Sequence, residues 1–295
     1  MINKAIKGTG VAVITPFTPE GEVDYLALRK ILKFQSTNGI DFLVALGTTG
    51  EAVTLSAAEK EKVIHTFIEE KNGLPLVLGM GGNNTSMICQ QINEMDFQGI
   101  DAILSVVPYY NKPSQQGLYL HFSAIAAVCP VPVILYNVPG RTGTNMLAET
   151  TLKLANNFDN IIAIKEASGH MEQIMNILKH KPDGFSLLSG DDALTYSLIA
   201  LGADGVISVV ANAFPAEFSS MVQLARGGNM EQSLALHYKL MNIIPLLFEE
   251  GSPSGIKTVL ASMKLCSDVV RLPLVQVSDN HKNKIINAVD NLLIR

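Results

Sequence analysis

The sequence predicts an α/β fold, a (β/α)8 TIM barrel with a C-terminal helical appendage. Short apolar, β-branched runs alternate with longer amphipathic stretches as far as residue 226, and only helical patterns continue beyond it. Runs such as Phe-Leu-Val-Ala-Leu and Ile-Ile-Ala-Ile are almost continuously apolar, which is typical of parallel strands buried on both faces. Eight such strand and helix units fit a closed barrel better than an open, doubly wound sheet.

The strand candidates are short runs bounded by turn residues. They cover residues 11–15, 42–46, 76–80, 102–106, 133–136, 161–165, 185–188 and 205–209. The helical patterns between them cover residues 24–38, 57–71, 85–96, 116–128, 147–156, 171–179, 193–201 and 216–226. Asp24, Ser56 and Asp192 stand at or near expected N-caps, where a side-chain oxygen can accept a free helical N–H.

The strand signal ends after Gly227 and Gly228. Helical patterns follow at residues 230–247, 254–263 and 279–293. We therefore predict a barrel over residues 1–226 and an appendage over residues 227–295. We expect this appendage to pack on the barrel rather than to fold as an independent domain.

Composition excludes several classes of function. A net charge of −5 over 295 residues leaves no basic surface for nucleic acid. No uncharged apolar stretch is long enough to span a membrane, and the first residues lack a signal-peptide cleavage site. The three cysteines are odd in number, far apart and without a C-x-x-C pair, which indicates a reducing compartment. We therefore expect a cytoplasmic protein.

Lys165 ends the apolar run at residues 161–165. A lysine at the end of a buried strand must either carry a costly buried charge or lose its proton. A neutral amine is a nucleophile that condenses with carbonyl compounds. Pairing with Glu166 is a weaker explanation, because adjacent strand residues point to opposite faces.

Other polar groups follow the predicted strands at the same end. A barrel carries its chemistry on the loops after the carboxyl ends of its strands. Those loops contain Gly-Thr-Thr-Gly-Glu at 47–51, Pro-Tyr-Tyr-Asn at 108–111, Tyr-Asn-Val-Pro-Gly-Arg-Thr-Gly at 136–143 and Gly-Asp-Asp at 190–192. Taken singly, each has a structural explanation as a turn or a rim residue; their combination with Lys165 favours a catalytic site.

Carbonyl chemistry needs an amine to form an imine, a hydroxyl to move protons, and donors that hold carboxylates. Lys165, Tyr136, Thr48, Thr49 and Arg141 supply these groups. The six histidines show no H-E-x-x-H spacing, and the sequence contains no phosphate-binding or dinucleotide-binding glycine motif. We therefore expect no metal and no cofactor.

At these motifs the sequence resembles the dihydrodipicolinate synthase family, within the class I pyruvate aldolases that also include N-acetylneuraminate lyase. The resemblance covers essentially the whole chain. Its most specific parts are residues 47–51, 108–113, 136–142 and 164–168. The Pro-Gly-Arg-Thr stretch that contains Arg141 distinguishes the synthases, because the sialate lyases have a different sequence after Tyr-Asn-x-Pro.

The resemblance implies condensation of pyruvate with L-aspartate 4-semialdehyde, a step of lysine and diaminopimelate biosynthesis. Lys165 would form the Schiff base with pyruvate. Tyr136 would shuttle protons, hydrogen-bonded through Thr49 to Tyr110 of a neighbouring subunit, and the enzyme would be a homotetramer built as a dimer of dimers.

The resemblance also assigns the groups that hold the substrates. Thr48 and Thr49 would bind the pyruvate carboxylate, Gly190 and Ile207 would line the pocket through their backbones, and Arg141 would bind the second substrate. Two alternatives stay open: another pyruvate aldolase, acting on a sialic acid or a keto-deoxy sugar acid, and a non-catalytic barrel that binds a carboxylate.

The sequence departs from the family's lysine-inhibited members at three positions. Those members have two histidines after Gly-Thr-Thr-Gly-Glu and a glutamate in the helix after strand three, where this chain has Ala57, Lys60 and Met87. A bound lysine would lose an anionic partner at Met87 and meet a like charge at Lys60. The resemblance therefore implies weak or absent inhibition by L-lysine.

Overall fold

The computed structural model describes residues 6–293. The first five residues, which are part of the segment considered for a signal peptide, lie outside this range. Eight parallel strands form a closed barrel in chain order, and β1 pairs with both β2 and β8. The predicted fold class is confirmed. The strands are β1 (Gly8–Ala12), β2 (Phe42–Ala45), β3 (Leu76–Gly79), β4 (Ala102–Val106), β5 (Val133–Asn137), β6 (Ile161–Glu166), β7 (Ser186–Ser189) and β8 (Gly205–Ser208).

The predicted position of β1, residues 11–15, was wrong by three residues. The strand begins at Gly8, which pairs with Gly205 where the barrel closes. A Cβ at Gly205 would lie 2.0 Å from the carbonyl oxygen of Gly8, so this approach requires glycine. A strand that starts on glycines carries no apolar pattern, which explains why the sequence placed it too late.

Helices cover the outside of the barrel. They are α1 (Tyr25–Ser36), α2 (Ala57–Glu70), α3 (Thr85–Glu94), α4 (Gln115–Val128), α5 (Pro139–Thr142), α6 (Ala148–Asn157), α7 (Met171–His180), α8 (Thr195–Ala200), α9 (Pro215–Arg226), α10 (Met230–Leu240), α11 (Ser254–Ser262) and α12 (Asp279–Leu293). None of these helices is long and apolar enough to cross a bilayer, over the residues that the structure describes.

Two of the predicted caps are confirmed and one was wrong. Asp24 accepts from the Ala27 amide at 2.9 Å, and Ser56 forms a capping box with Glu59 at the start of α2. Asp192 does not cap α8, whose N-cap is Leu194. Its carboxylate instead accepts backbone amides from the loop after β8, a long-range contact that a local cap motif cannot reveal.

The appendage shares the hydrophobic core that lies between strands and helices. Its buried contributors include Leu240, Ile256, Val259, Leu260 and Ile285. The single helix predicted over residues 230–247 was wrong, because α10 ends at Leu240 and a separate 3-10 turn covers Pro245–Leu247. Proline has no N–H for an intrahelical hydrogen bond, which favours this break. The boundary at residue 226 stays a prediction.

Candidate active site

A cavity of about 390 Å³ opens at the carboxyl ends of the strands. Six of the residues predicted from the sequence line it: Thr48, Thr49, Tyr136, Arg141, Lys165 and Gly190. They come from the loops or strand ends of β2, β5, β6 and β7, which the barrel brings together although they are far apart in the chain. The predicted face of the barrel is therefore the one with the cavity.

Lys165 and Tyr136 are paired residues on neighbouring strands, β6 and β5. Lys165 is only 6% exposed, and its Nζ lies 4.4 Å from the centroid of the Tyr136 ring. An amine in this position is partly desolvated and faces a phenol that can exchange protons with a bound compound. The two groups that imine chemistry needs are thus side by side.

Gly190 has no side chain, and this leaves room for the Lys165 side chain. A Cβ at this position would lie 2.6 Å from the Cβ of Ala167 and 3.1 Å from the Cε of Lys165. Its amide also donates to the Glu166 carbonyl at 2.8 Å, which joins the ends of β6 and β7. The glycine therefore lets the lysine side chain pass along the cavity wall.

Thr48 and Thr49 lie in a 3-10 turn, Thr48–Gly50, directly after β2. Thr48 is exposed and Thr49 is buried, and both line the cavity. A hydrogen bond to the segment after β1 holds the turn in place, because the Thr15 hydroxyl donates to the Gly50 carbonyl at 2.7 Å. A small anion such as a carboxylate suits hydroxyl and amide donors held in this way.

Arg141 lies at the exposed rim of the cavity. The sequence suggested only a turn, whereas residues Pro139–Thr142 form the short helix α5, with proline at its first position and the left-handed Gly143 at its end. This arrangement is the usual order of helix start and stop residues. The guanidinium is therefore carried near the opening of the cavity.

Sequence reasoning missed a buried polar network behind the reacting pair. Asn137 and Glu166 are paired residues that point away from the barrel interior, opposite to Tyr136 and Lys165. The Asn137 amide lies 3.2 Å from each Glu166 carboxylate oxygen, and its own oxygen accepts from the Met146 amide at 2.9 Å. The network thereby ties the loop that carries Arg141 to the two strands.

Glu166 is only 1% exposed and receives further hydrogen bonds from the Ser168 amide and from Gln173. Burial raises the pKa of this carboxyl group above its usual value, although these donors oppose the shift. The sequence did contain a signal for this network. Asn137 and Glu166 each directly follow a predicted catalytic residue, and successive side chains of a strand point to opposite faces, so this alternation places both on the face away from the cavity.

Asp192 is a second buried acid next to the cavity. Its Oδ2 accepts from the amides of Val209 and Val210 at 3.0 and 2.8 Å, and Val209 lines the cavity. Complete burial raises the pKa of Asp192 to about 6, although the hydrogen bonds from Ser208 and these amides act in the opposite direction. This acid holds the loop after β8 rather than acting as a helix cap.

The appendage also contributes to the cavity, which the sequence had not indicated. Four residues from it lie on the lining: Ile244, Pro245, Phe248 and Ser252. The site is thus built from both predicted units. No periodic pattern marks these positions, because they lie in the irregular segment around the 3-10 turn.

Two predicted site residues do not line the cavity. Ile207 is 1% exposed and belongs to the apolar cluster inside the barrel, together with Leu188. Tyr110 is 89% exposed and has a left-handed backbone, φ 73°. Their proposed roles stay predictions. Over residues 6–293, no three His, Cys, Asp or Glu side chains are grouped so as to hold a metal ion.

The structure combines a parallel barrel with a pocket that contains a buried lysine, the arrangement that a Schiff-base aldolase requires. The chain belongs to the dihydrodipicolinate synthetase family, whose sequence model matches residues 5–292. A 4-hydroxy-tetrahydrodipicolinate synthase of Flavobacterium psychrophilum is 49% identical over 283 residues, covering 96% of this chain and 97% of the relative.

Solved structures agree with this assignment. The dihydrodipicolinate synthase of Aquifex aeolicus is 40% identical, with a TM-score of 0.93 over 97% of this chain and 98% of that one. The chloride-inhibited enzyme of Acinetobacter baumannii, complexed with pyruvate, is 37% identical, with a TM-score of 0.94 over 98% of this chain and 100% of that one. The family resemblance noted in the sequence is confirmed.

Proposed function

We propose that this chain condenses pyruvate with L-aspartate 4-semialdehyde, with Lys165 as the amine that binds pyruvate. The observation that carries this proposal is the buried Lys165 amine against the face of Tyr136. The relatives named as synthases over nearly the whole chain support the reaction. They favour it over cleavage of a sialic or keto-deoxy sugar acid and over simple carboxylate binding.

The proposed chemistry needs only groups of the chain and the two substrates. The neutral Lys165 amine attacks the ketone carbon of pyruvate, and loss of water gives an imine. Its protonated form draws electrons from the methyl group, which loses a proton to give an enamine. Tyr136 would transfer these protons.

The enamine carbon then attacks the aldehyde carbon of the semialdehyde, whose oxygen takes up a proton. The amine of the second substrate attacks the imine carbon, closes the ring and releases Lys165 as a free amine. In this scheme the pyruvate carboxylate binds at Thr48 and Thr49. The forked donors of Arg141 hold the carboxylate of the second substrate at the rim.

Borohydride reduction tests the proposal directly. With pyruvate present, reduction of the imine should leave a carboxyethyl group on Lys165, located by mass spectrometry of peptides. Lys165→Ala should abolish both label and turnover while the protein stays folded, and Lys282→Ala should retain both. A label confined to another lysine contradicts the assignment of Lys165. Absence of label and of pyruvate turnover in the unaltered protein would revive the carboxylate-binding alternative.

We also infer a homo-oligomer, in which Tyr110 reaches the site of a neighbouring subunit. The exposure of Tyr110, next to the partly exposed Tyr109, supports this, because aromatic residues are enriched at protein–protein interfaces. A tetramer of two dimers is the proposed assembly, and the cytoplasm is its proposed location. Mixing inactive Tyr110→Phe and Lys165→Ala subunits should restore activity if the tyrosine serves its neighbour; a fully active monomer in ultracentrifugation contradicts the assembly.

A further inference from the structure

We propose that Glu51 and Lys257 position the Thr48–Gly50 turn, so that the appendage sets the affinity of the site for pyruvate. This inference rests on the proposed function, in which that turn binds the pyruvate carboxylate. Glu51 belongs to the Gly-Thr-Thr-Gly-Glu motif, yet its side chain takes no part in the chemistry described above. Its contacts lead away from the barrel and into the appendage.

The Glu51 and Lys257 side chains form a buried ion pair. Glu51 is the residue directly after the turn, and its backbone is left-handed, with φ 50°. Its side chain is 1% exposed and that of Lys257, on α11, is 0% exposed. The Lys257 ammonium donates to Oε1 of Glu51 and, at 2.9 Å, to the Val269 carbonyl. The second carboxylate oxygen accepts from the Arg271 amide at 3.0 Å.

Arg271 forms hydrogen bonds to the rest of the loop that follows Glu51. Its guanidinium donates to the Thr54 carbonyl at 3.0 Å and pairs with Glu59, the capping-box residue of α2. Both Arg271 and the Lys257 ammonium also lie over the Phe17 ring, at 4.5 and 4.0 Å from its centroid. Residues 257–271 therefore hold the loop from the carboxylate-binding turn to the beginning of α2.

The Glu51–Lys257 ion pair is better explained by its effect on the position of the Thr48–Gly50 turn than by a contribution to the stability of the protein. Burial lowers the pKa of Lys257, and the Coulomb attraction and hydrogen bond of Glu51 oppose that shift. A buried ion pair contributes little net stability compared with well-packed apolar side chains of the same volume. What it supplies is a fixed geometry, because both carboxylate oxygens have directional partners on the appendage. That geometry is transmitted to Thr49 through the single intervening Gly50.

The test measures the pyruvate concentration that gives half-maximal borohydride labelling. Lys257→Met keeps much of the aliphatic volume and removes the ammonium, while Glu51→Gln keeps the shape of the acid. Lys282→Met is the control, since Lys282 pairs with Asp268 at the surface of the same appendage. We expect Lys257→Met and Glu51→Gln to raise half-saturating pyruvate on the order of tenfold. KM for the semialdehyde should stay at the control value.

A merely structural role gives a different result. It would lower the melting temperature and the labelled fraction at saturation, and leave half-saturating pyruvate unchanged. If Lys257→Met does not fold, the double variant Glu51→Gln/Lys257→Met removes both buried charges together and should show the same rise. Wild-type half-saturation in either folded variant overturns this proposal alone. Absence of label in the unaltered protein overturns the proposed function first, and this proposal with it.

Discussion

Replacing Gly190 by alanine should displace the Lys165 side chain. The added Cβ would lie 2.6 Å from the Cβ of Ala167 and 3.1 Å from the Cε of Lys165. The lysine side chain can rotate away from the second contact. The first contact is between atoms attached to backbone, so the ends of β6 and β7 must separate.

Overpacking of this kind costs about 1–3 kcal/mol of unfolding free energy. A shift of the amine by a fraction of an ångström relative to Tyr136 should slow imine formation, and a misplacement of about 1 Å can cost about a hundredfold. We therefore expect Gly190→Ala to reduce the rate of borohydride labelling about tenfold or more. Denaturant unfolding measures the loss of stability on the same samples.

Gly140→Ala is the matched control, because a Cβ at Gly140 meets nothing within 4 Å although it lies at the same end of the barrel. Its labelling rate and stability should equal those of the unaltered protein. If Gly190→Ala labels as fast as the control, the idea that Gly190 makes room for Lys165 is wrong. Loss of labelling together with unfolding would show a structural effect only.

Three further predictions concern the rim, a buried acid and regulation. Arg141→Ala should lower kcat/KM for the semialdehyde about tenfold to a hundredfold and leave pyruvate labelling intact, since one charge-assisted contact is worth about 1.5–3 kcal/mol; equal loss of both contradicts a substrate role. The folded-state pKa of Asp192, about 6, lies above its ordinary value, so its contribution to stability is present below about pH 4 and is lost as the pH rises through 6. Asp192→Asn should therefore gain about 2 kcal/mol relative to the unaltered protein between pH 4 and 7 in urea unfolding, and a constant difference contradicts this. L-lysine titrated into the assay should inhibit weakly or not at all, because Lys60 and Met87 replace favourable partners; inhibition at sub-millimolar lysine would refute it.

The fold was predictable because its signal is repetitive and local. Parallel strands buried on both faces are apolar throughout, and a lysine or tyrosine at the end of such a run stands out. This is why the sequence singled out Lys165 and Tyr136, which the structure brings together in the cavity. The ends of elements were less predictable, as β1 shows. It begins Gly-Thr-Gly, and a Cβ at either glycine would overlap a side chain of the neighbouring strand segment, Asp41 or Phe42.

The supporting residues could not be predicted because their partners are distant in the chain. Glu51 and Lys257 meet across 206 positions, and no local pattern links them. Asp192 was read as a helix cap, since aspartate before a helix is the commonest cap signal. The amides of Val209 and Val210, which donate to its carboxylate, belong to the loop after β8. Contacts of this kind depend on how the barrel closes.

The packed interior of the barrel closes the cavity below Lys165. Beneath Lys165 the apolar cluster that includes Ala163, Leu188 and Ile207 fills the barrel, so the lysine lies at the bottom of a well with Arg141 at its mouth. A compound held at the mouth obstructs the path to the bottom. With the proposed roles of Lys165 and Arg141, we therefore expect pyruvate to bind before the semialdehyde. The depth of the cavity would then set the order in which the two substrates bind.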